Sequence, residues 1–264
     1  LIMNISVDLI KSTEAAAIAA FEWIGSGKKE QADKAATDAM KDALANEVDF
    51  AGRVVMGEGK KDKSFGIFYG NKIKKKTKLS LSYPLEENLR LTSEATGKPI
   101  SDVMVCVLNR DRHKKIISKL RSLGVRIKLL QDCDIVGAVA ACLSDSNVDF
   151  LYGIGGSPEA VISAAAIKTL GGGIEAQIYD QDLTGALDPV FSHGGEEWFA
   201  VGKIIPMEHL VSSSCVFAAT GITNGSILKG VRYTNKELIT NSVFMKSDEG
   251  TVRWIETHHN RGGL

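Results

Sequence analysis

The sequence predicts an α/β fold whose C-terminal half is a doubly wound sheet, and two observations support this. From residue 103 onward, short apolar runs alternate with helical patterns in the order strand, helix, strand, helix. Such alternation is typical of a largely parallel sheet with helices on both faces. In addition, 44% of the 264 residues are hydrophobic, enough to bury the core of one large domain or two smaller ones.

The first hundred residues form a separate half in this prediction, spanning residues 1–100. Its elements are a helix over 5–25, a helix from about Glu30 to Ala45, and short strands at 54–56 and 66–69 around a polar turn at 57–62. Apolar residues at helical spacing indicate the first helix, and Gly25 and Gly27 end it.

The second half, residues 101–264, carries the alternating pattern. Its elements are strands at 103–108, 126–130, 150–152 and 174–178, with helices at 111–123 and 135–143 and a further helix ending near 170–173. Glycines and a proline between residues 180 and 200 predict a loop there. Binding sites in such sheets lie just beyond the carboxyl ends of the strands.

Composition limits the classes of partner. Lys and Arg total 32 and Asp and Glu total 32, so no net field attracts nucleic acid or an anionic membrane, and we expect a small-molecule partner. Neither a signal peptide nor a membrane-spanning run is expected. No CxxC pair occurs among the four cysteines, which predicts buried, reduced thiols in a cytoplasmic protein: Cys106, Cys133, Cys142 and Cys215.

The glycine-rich stretch from Tyr152 to Glu159 predicts a turn that leads into an Ala-rich helix. Glycines permit close approach of a ligand, Pro158 suits a first helical turn, and helix N-termini favour anions. Because Glu159 is itself an anion, a metal cation would reconcile it with bound phosphate. The alternative is that Glu159 only interacts favourably with the helix dipole.

Charged residues also follow the two preceding strands. Arg110 and Arg112 follow the first, and they could bind phosphate oxygens. Asp132 and Asp134 follow the second, and they could accept hydrogen bonds from sugar hydroxyls. The alternatives are a solvated helix start for the arginines and simple helix N-capping for the aspartates.

Two more carboxylates lie in the N-terminal half. Asp33 is on an Ala-rich helix, where an isolated acid is usually only solvated, and Glu58 lies between two glycines after an apolar strand. The five histidines show no metal-ligand spacing, so oxygen ligands suit the sequence better than a zinc site.

Six motifs, occurring in one order, together resemble the class II fructose-1,6-bisphosphatases of the GlpX type. They are residues 32–36 (ADKAA), 54–59 (VVMGEG), 84–89 (PLEENL), 109–113 (NRDRH), 152–159 (YGIGGSPE) and 217–223 (FAATGIT). The resemblance covers nearly the whole chain. It implies the layered α/β/α/β/α architecture of the lithium-sensitive sugar phosphatases. It also implies Mn²⁺- or Mg²⁺-dependent hydrolysis of the 1-phosphate of fructose 1,6-bisphosphate, in gluconeogenesis, by a homodimer or homotetramer.

The resemblance also implies roles for individual residues. These are metal ligation by Asp33, Glu58 and Glu159, substrate contacts by Arg110, Arg112, Asp132 and Asp134, and a backbone contact at Gly156. Glu58 and Glu159 are the implied catalytic residues, and the implied mechanism is in-line attack of a metal-bound water on phosphorus.

This sequence departs from the family pattern at several points. The motif Asp-Pro-x-Glu-Gly-Thr, with two metal-ligand carboxylates, is expected between Tyr69 and Pro84, where several dozen residues are missing. Either the polypeptide has lost the segment or this sequence omits it, and we favour omission because a true loss should open a gap in the sheet. An inactive homologue that binds sugar phosphate or a protein is the alternative function. Asp111 and Cys133 replace the usual proline and glycine, so Asp111 could pair with an arginine and Cys133 could change the backbone angle.

Overall fold

The computed structural model describes residues 2–48, 52, 63–179, 202–235 and 237–260. The chain divides into two compact units, one formed by residues 1–54, 216–246 and 251–264 and the other by residues 55–215 and 247–250. The division of the sequence into halves at residue 100 stays a prediction. The predicted strand at 54–56, the turn at 57–62 and the loop between 180 and 200 lie outside the described residues.

Helices occur at all five places where the sequence predicts them, and the described residues contain three more that were not predicted. The helices are α1 (Ile2–Phe21), α2 (Lys29–Asn46), α3 (Asn71–Lys74), α4 (Leu85–Thr96), α5 (Lys114–Ser122), α6 (Asp134–Ala140), α7 (Ser157–Thr169) and α8 (Met207–Leu210), with 3₁₀ turns at Ile100–Asp102 and Asp111–His113. None of the helices in the described ranges is both long and apolar enough to cross a membrane.

The strands complete an α/β fold, as predicted. They are β1 (Lys63–Tyr69), β2 (Met104–Leu108), β3 (Arg126–Leu130), β4 (Phe150–Gly156), β5 (Gly173–Tyr179), β6 (Ile204–Pro206), β7 (Val216–Thr220), β8 (Arg232–Tyr233), β9 (Glu237–Lys246) and β10 (Thr251–Asn260).

The first unit contains the helix pair α1 and α2 and an antiparallel sheet. In this sheet β9 lies between β10 and β7, and β8 also pairs with β9. The small residues of α1 allow close packing, and Ala17 is buried against Val231 and Leu238. Glu14 on the same helix is buried and accepts a hydrogen bond from the Thr240 hydroxyl at 2.8 Å.

The second unit is built on a six-stranded mixed sheet in the order β3-β2-β4-β1-β5-β6. Strands β2, β3 and β4 are parallel, whereas β1 runs antiparallel to both β4 and β5. Because parallel strands end at the same edge, the segments that follow β2, β3 and β4 lie along one edge of this sheet.

Helices cover both faces of the six-stranded sheet, which confirms the doubly wound arrangement. Successive side chains of a strand point to opposite faces. Val105 and Val107 therefore pack with residues of α4 and α5, while Cys106 between them packs with residues of α6 and α7.

The chain changes direction across the sheet at the β2–β4 pair. From β2 the chain continues through α5 to β3 on one side, whereas from β4 it continues through α7 to the opposite side of the sheet. Such a switch point leaves a crevice outside the carboxyl ends of the two strands, which is where ligands bind in open α/β sheets.

The sheet has no gap next to β1, contrary to our expectation for a chain that lacks the segment after Tyr69. All seven residues of β1 pair with β4 on one side and with β5 on the other. The segment after β1, residues 70–81, is called the closing segment below. It packs onto the core, because its Ile73 and Leu79 are buried. Direct pairing of β1 with both neighbours keeps the ladder complete without further strands.

Lysines anchor this closing segment to the sheet and to α4. The ammonium of Lys74 donates to the Gly172 carbonyl at 2.8 Å, and that of Lys76 donates to the Ala95 carbonyl at 2.7 Å. These two lysines, which belong to the basic stretch of residues 72–76 (KIKKK), therefore make structural contacts.

A buried carboxylate on β5 holds the end of the same segment. Glu175 is only 3% exposed and lies 2.7 Å from the Lys78 ammonium. It also accepts hydrogen bonds from the Ser80 hydroxyl at 2.7 Å and from the Leu81 backbone N–H at 3.0 Å. Three donors therefore compensate the cost of burying this charge.

We expect the Glu175→Gln variant to lose about 2 kcal/mol of unfolding free energy, because it leaves these donors incompletely paired in a buried site. Denaturant titration would measure the loss. The control is Glu94→Gln, which removes an exposed ion pair with Arg90 and should cost less than about 0.5 kcal/mol. Equal stability losses in the two variants would contradict the role of Glu175.

Candidate functional site

The glycine-rich stretch is the end of a strand, and the prediction of a turn there was wrong. Strand β4 continues through Gly156, which pairs with Lys63 of β1, and α7 begins at the next residue. Glycines often indicate turns, but here the complete ladder with β1 keeps them extended. Pro158 lies in the first turn of α7, as predicted.

Two carboxylates lie against the last glycines of β4. A β-carbon on Gly155 would lie 1.7 Å from Asp134 Oδ2, and a β-carbon on Gly156 would lie 1.7 Å from Glu159 Oε2. The carboxylates come from the first turns of two different helices, α6 and α7. The absence of side chains at these two glycines therefore leaves room for the carboxylates against the backbone of β4.

This arrangement raises the pKa of Asp134 to about 6. Burial is the largest cause, and repulsion by the Glu159 carboxylate is the second. The alternative interpretation of Asp134 as an N-cap was wrong, because Asp134 is the first residue of α6 and its Oδ1 accepts from the adjacent Ile135 N–H, at 3.0 Å. Two nearby carboxylates with little compensation are suited to a hard cation such as Mg²⁺ or Mn²⁺.

These two carboxylates do not complete a metal site by themselves. Within the described ranges, no group of three or more His, Cys, Asp or Glu side chains is placed to hold a metal ion. Asp33 is exposed on α2 in the first unit, and Glu58 lies outside the described residues. Metal ligation by Asp33 and Glu58 therefore stays a prediction from the sequence.

Arg112 lies beside the carboxylates at the end of β4. Its Nε donates to the Ile154 carbonyl at 3.0 Å. Burial lowers the pKa of its guanidinium, as does repulsion by Arg110, while the Asp134 carboxylate acts in the opposite direction. The structure thus brings together Arg112, Asp134 and Glu159, which the sequence places after three different strands.

Arg110 has a different environment. Its guanidinium donates to Asp132 Oδ1 at 2.8 Å, an exposed ion pair that joins the segments following β2 and β3. Asp111 pairs with the Lys114 ammonium at 2.8 Å, three residues later at the start of α5. The expected pairing of Asp111 with an arginine was therefore wrong, since Lys114 is its local partner.

Cys133 retains a glycine-like backbone conformation. Its φ of 61° is the only positive value among the non-glycine residues that the structure describes. This conformation is uncommon for a residue with a β-carbon, and such outliers are often found at functional sites. All four cysteines are free, as predicted, but only Cys106 is buried: Cys142 and Cys215 are half-buried, and Cys133, just before α6, is exposed.

His113 was not identified as a site residue from the sequence. It is 0% exposed, its Nδ1 lies 2.8 Å from the Leu108 carbonyl, and its Nε2 accepts from the Ile154 N–H at 2.7 Å. A β-carbon on Gly153 would lie 2.9 Å from Nε2. The sequence signal was present, since the histidine follows a strand and a further glycine occurs in β4, but the contact spans 41 residues.

We expect the Asp134→Asn variant to be more stable than the wild type at pH 7.5, by about 2 kcal/mol in metal-free buffer. The raised pKa means that the folded state binds this proton more tightly than the unfolded state. Wild-type stability should therefore fall as the pH rises from the ordinary value of 3.8 through about 6. Denaturant titrations at pH 4 and pH 7.5 measure the difference.

In the matched control, Asp132→Asn, an exposed carboxylate is replaced and little change is expected at either pH. A difference between Asp134→Asn and the wild type that is the same at both pH values would show that Asp134 is not destabilised by its charge.

Comparison with known proteins identifies a family that the chain resembles over most of its length. The family described as bacterial fructose-1,6-bisphosphatase, glpX-encoded, matches residues 3–79 and 67–259. The class 2 fructose-1,6-bisphosphatase of Haemophilus influenzae is 30% identical over 319 aligned positions, which cover 97% of this chain and 96% of the relative. Fructose-1,6-bisphosphatase 1 class 2 of Escherichia coli is 28% identical, over 97% of this chain and 95% of the relative.

The alignments also locate the missing segment. An alignment of 319 positions exceeds the 264 residues of this chain, so the relative carries several dozen residues that have no counterpart here. The two matched ranges meet between residues 67 and 79, where β1 ends and the closing segment begins. Since the family matches almost the whole chain, the chain belongs to the glpX-encoded bacterial fructose-1,6-bisphosphatase family.

Proposed function

We propose that the chain is a metal-dependent phosphatase that hydrolyses the 1-phosphate of fructose 1,6-bisphosphate to fructose 6-phosphate and inorganic phosphate. The observation that carries this proposal is the grouping of Arg112 with Asp134 and Glu159 around the last residues of β4. A cationic group and a carboxylate pair in one crevice match the needs of a phosphate ester and its metal ion. The presence of both a guanidinium and carboxylates favours a phosphorylated sugar over a neutral ligand.

Arg112 binds the phosphate in this proposal. Its Nε is held by the Ile154 carbonyl, while its two terminal nitrogens have no protein acceptor among the described residues. A guanidinium oriented in this way can donate two parallel hydrogen bonds to phosphoryl oxygens. It therefore stabilises the negative charge that those oxygens carry as the ester bond breaks.

Arg110 and the aspartates contact the rest of the substrate. Because the Arg110–Asp132 ion pair is exposed, it costs little to exchange for substrate groups. Arg110 can then add a second cationic contact to phosphate, and Asp132 and Asp134 accept from sugar hydroxyls. The backbone of Gly156 supplies the further contact that the resemblance to the family implies.

Glu159 is the residue of this crevice that would hold the metal, Mn²⁺ or Mg²⁺, as a carboxylate oxygen ligand. The cation would supply positive charge to the phosphoryl oxygens and lower the pKa of a water molecule. Asp33 and Glu58 remain the further metal ligands that the sequence predicts. Glu58 and Glu159 are accordingly the residues whose removal should most affect catalysis.

The biological setting is also part of the proposal. We propose that this hydrolysis takes place in the cytoplasm as a step of gluconeogenesis, which is what the resemblance to the family implies. We propose a homodimer or homotetramer, on the analogy of the family. No nucleic acid or membrane partner is proposed, in keeping with the balanced charge of the chain.

Phosphate release from fructose 1,6-bisphosphate tests the proposal. We expect release that depends on added Mn²⁺ or Mg²⁺ and that falls at least a hundredfold in Glu159→Gln and in Glu58→Ala. Arg112→Ala should lose a similar factor, mainly because the charge on the phosphoryl oxygens is no longer stabilised. The carboxylate control is Glu94→Gln, on the exposed face of α4, which should leave the rate unchanged.

Metal-independent release, or equal rates in Glu159→Gln and the wild type, would contradict the metal assignment. If purified protein of verified mass binds fructose 6-phosphate but releases no phosphate with either metal, the hydrolysis proposal fails and a sugar phosphate-binding homologue is supported.

A further inference from the structure

Hydrogen bonding fixes the protonation state of His113. The Ile154 N–H can only donate, so the ring atom that it contacts, Nε2, must be unprotonated. The Leu108 carbonyl can only accept, so Nδ1 must carry the hydrogen. The imidazole is therefore neutral and in its Nδ1–H tautomer. Burial lowers the pKa of His113, and the nearby Arg112 and Arg110 act in the same direction, against the hydrogen bond to the Leu108 carbonyl, which raises it.

The imidazole takes the place of a missing strand contact. The β2–β4 ladder extends only as far as Cys106 and Leu151, and beyond that pair the two strands are no longer matched. The His113 ring connects the last carbonyl of β2, at Leu108, to the Ile154 N–H near the end of β4. It therefore bridges the two strands at the switch point where the crevice lies.

Arg112 and His113, which are consecutive in sequence, form hydrogen bonds with both backbone polar groups of Ile154. His113 accepts from its N–H, and the Arg112 Nε donates to its carbonyl, at 2.7 and 3.0 Å respectively. The two groups belong to successive peptide units that meet at the Ile154 Cα, so the carbonyl that orients Arg112 depends on the backbone that His113 holds from the N–H side. Gly153 makes this possible, since a β-carbon there would lie 2.9 Å from the ring nitrogen.

We propose that His113 is a positioning residue: as a neutral imidazole it locks Ile154 at the end of β4 and so aims the Arg112 guanidinium at the phosphate. The part of this inference that concerns phosphate rests on the proposed function. His113 itself neither contacts the substrate nor transfers a proton, because both of its ring nitrogens are already engaged with the backbone.

The wild-type protein provides the first test, in which ¹⁵N-labelled histidine is followed by long-range ¹H–¹⁵N correlation spectra. One imidazole, assigned through the His113→Asn variant, should show a protonated Nδ1 and an unprotonated Nε2, with shifts that do not change between pH 5.5 and 8. A protonated Nε2 or a titration within this range would overturn the proposal, and this result requires no activity.

Two substitutions separate the two hydrogen bonds of the ring. Gln at position 113 can still accept from the Ile154 N–H, whereas Asn can reach only the Leu108 carbonyl. We expect His113→Asn to weaken binding of inorganic phosphate, measured by titration calorimetry, by about tenfold, to raise KM by a similar factor, and to lower kcat by more than about threefold, because a misdirected Arg112 stabilises the charge on the phosphoryl oxygens less well. His113→Gln should remain within about threefold of the wild type in all three.

The control is His258→Asn, which alters an exposed histidine on β10 that pairs with Glu237 and should change nothing. A folded His113→Asn variant with wild-type phosphate affinity would overturn the proposal, as would equal losses in the Asn and Gln variants. If the wild type binds phosphate and the Asn variant binds it tenfold more weakly, but neither hydrolyses the bisphosphate, the positioning role stands and the proposed function fails.

Discussion

The site depends on one feature of β4, which is that its last residues carry no β-carbon at three positions. The space that a side chain would fill at Gly153, Gly155 and Gly156 is occupied by the His113 ring and the carboxylates of Asp134 and Glu159, respectively. Each of these three side chains comes from a different connecting segment. The glycine-containing end of β4, residues 153–156, therefore forms the surface against which these side chains pack.

The glycine-containing end of β4 determines the electrostatics of the crevice as well as its shape. Two carboxylates on adjacent glycines repel each other, and the fold tolerates the repulsion although it raises the pKa of Asp134. Perturbed acids in a crevice often indicate function, because a bound cation can offset the cost. The uncharged His113 adds no further charge and holds the strand ends in register. The backbone contacts of His113 thus lie next to the mutually repelling carboxylates of Asp134 and Glu159. This is expected at a site where a bound cation offsets the repulsion.

The α/β class and the doubly wound sheet could be predicted because strand and helix periodicities alternate clearly after residue 103. The grouping of Arg112, Asp134 and Glu159 was also accessible, since parallel strands end at one edge. The role of the glycines was not, because the same residues indicate a turn and a close approach equally well. His113 was missed because its partners are distant in sequence. The continuous sheet around β1 was also not predicted. It depends on pairing of β1 with β4 and β5, which are distant in sequence and cannot be deduced from the local residue pattern.

The most direct test of this account is the affinity of the Gly156→Ala variant for Mn²⁺, measured by titration calorimetry alongside Gly225→Ala. Gly156 has a φ of −73°, so alanine fits its backbone, but the new methyl group must displace the flexible Glu159 carboxylate. At Gly225 a β-carbon meets its nearest neighbour at an ordinary 3.5 Å. The account predicts at least a tenfold loss of Mn²⁺ affinity for Gly156→Ala, with unfolding stability retained and the control unchanged. Wild-type Mn²⁺ affinity in a folded Gly156→Ala variant would contradict it.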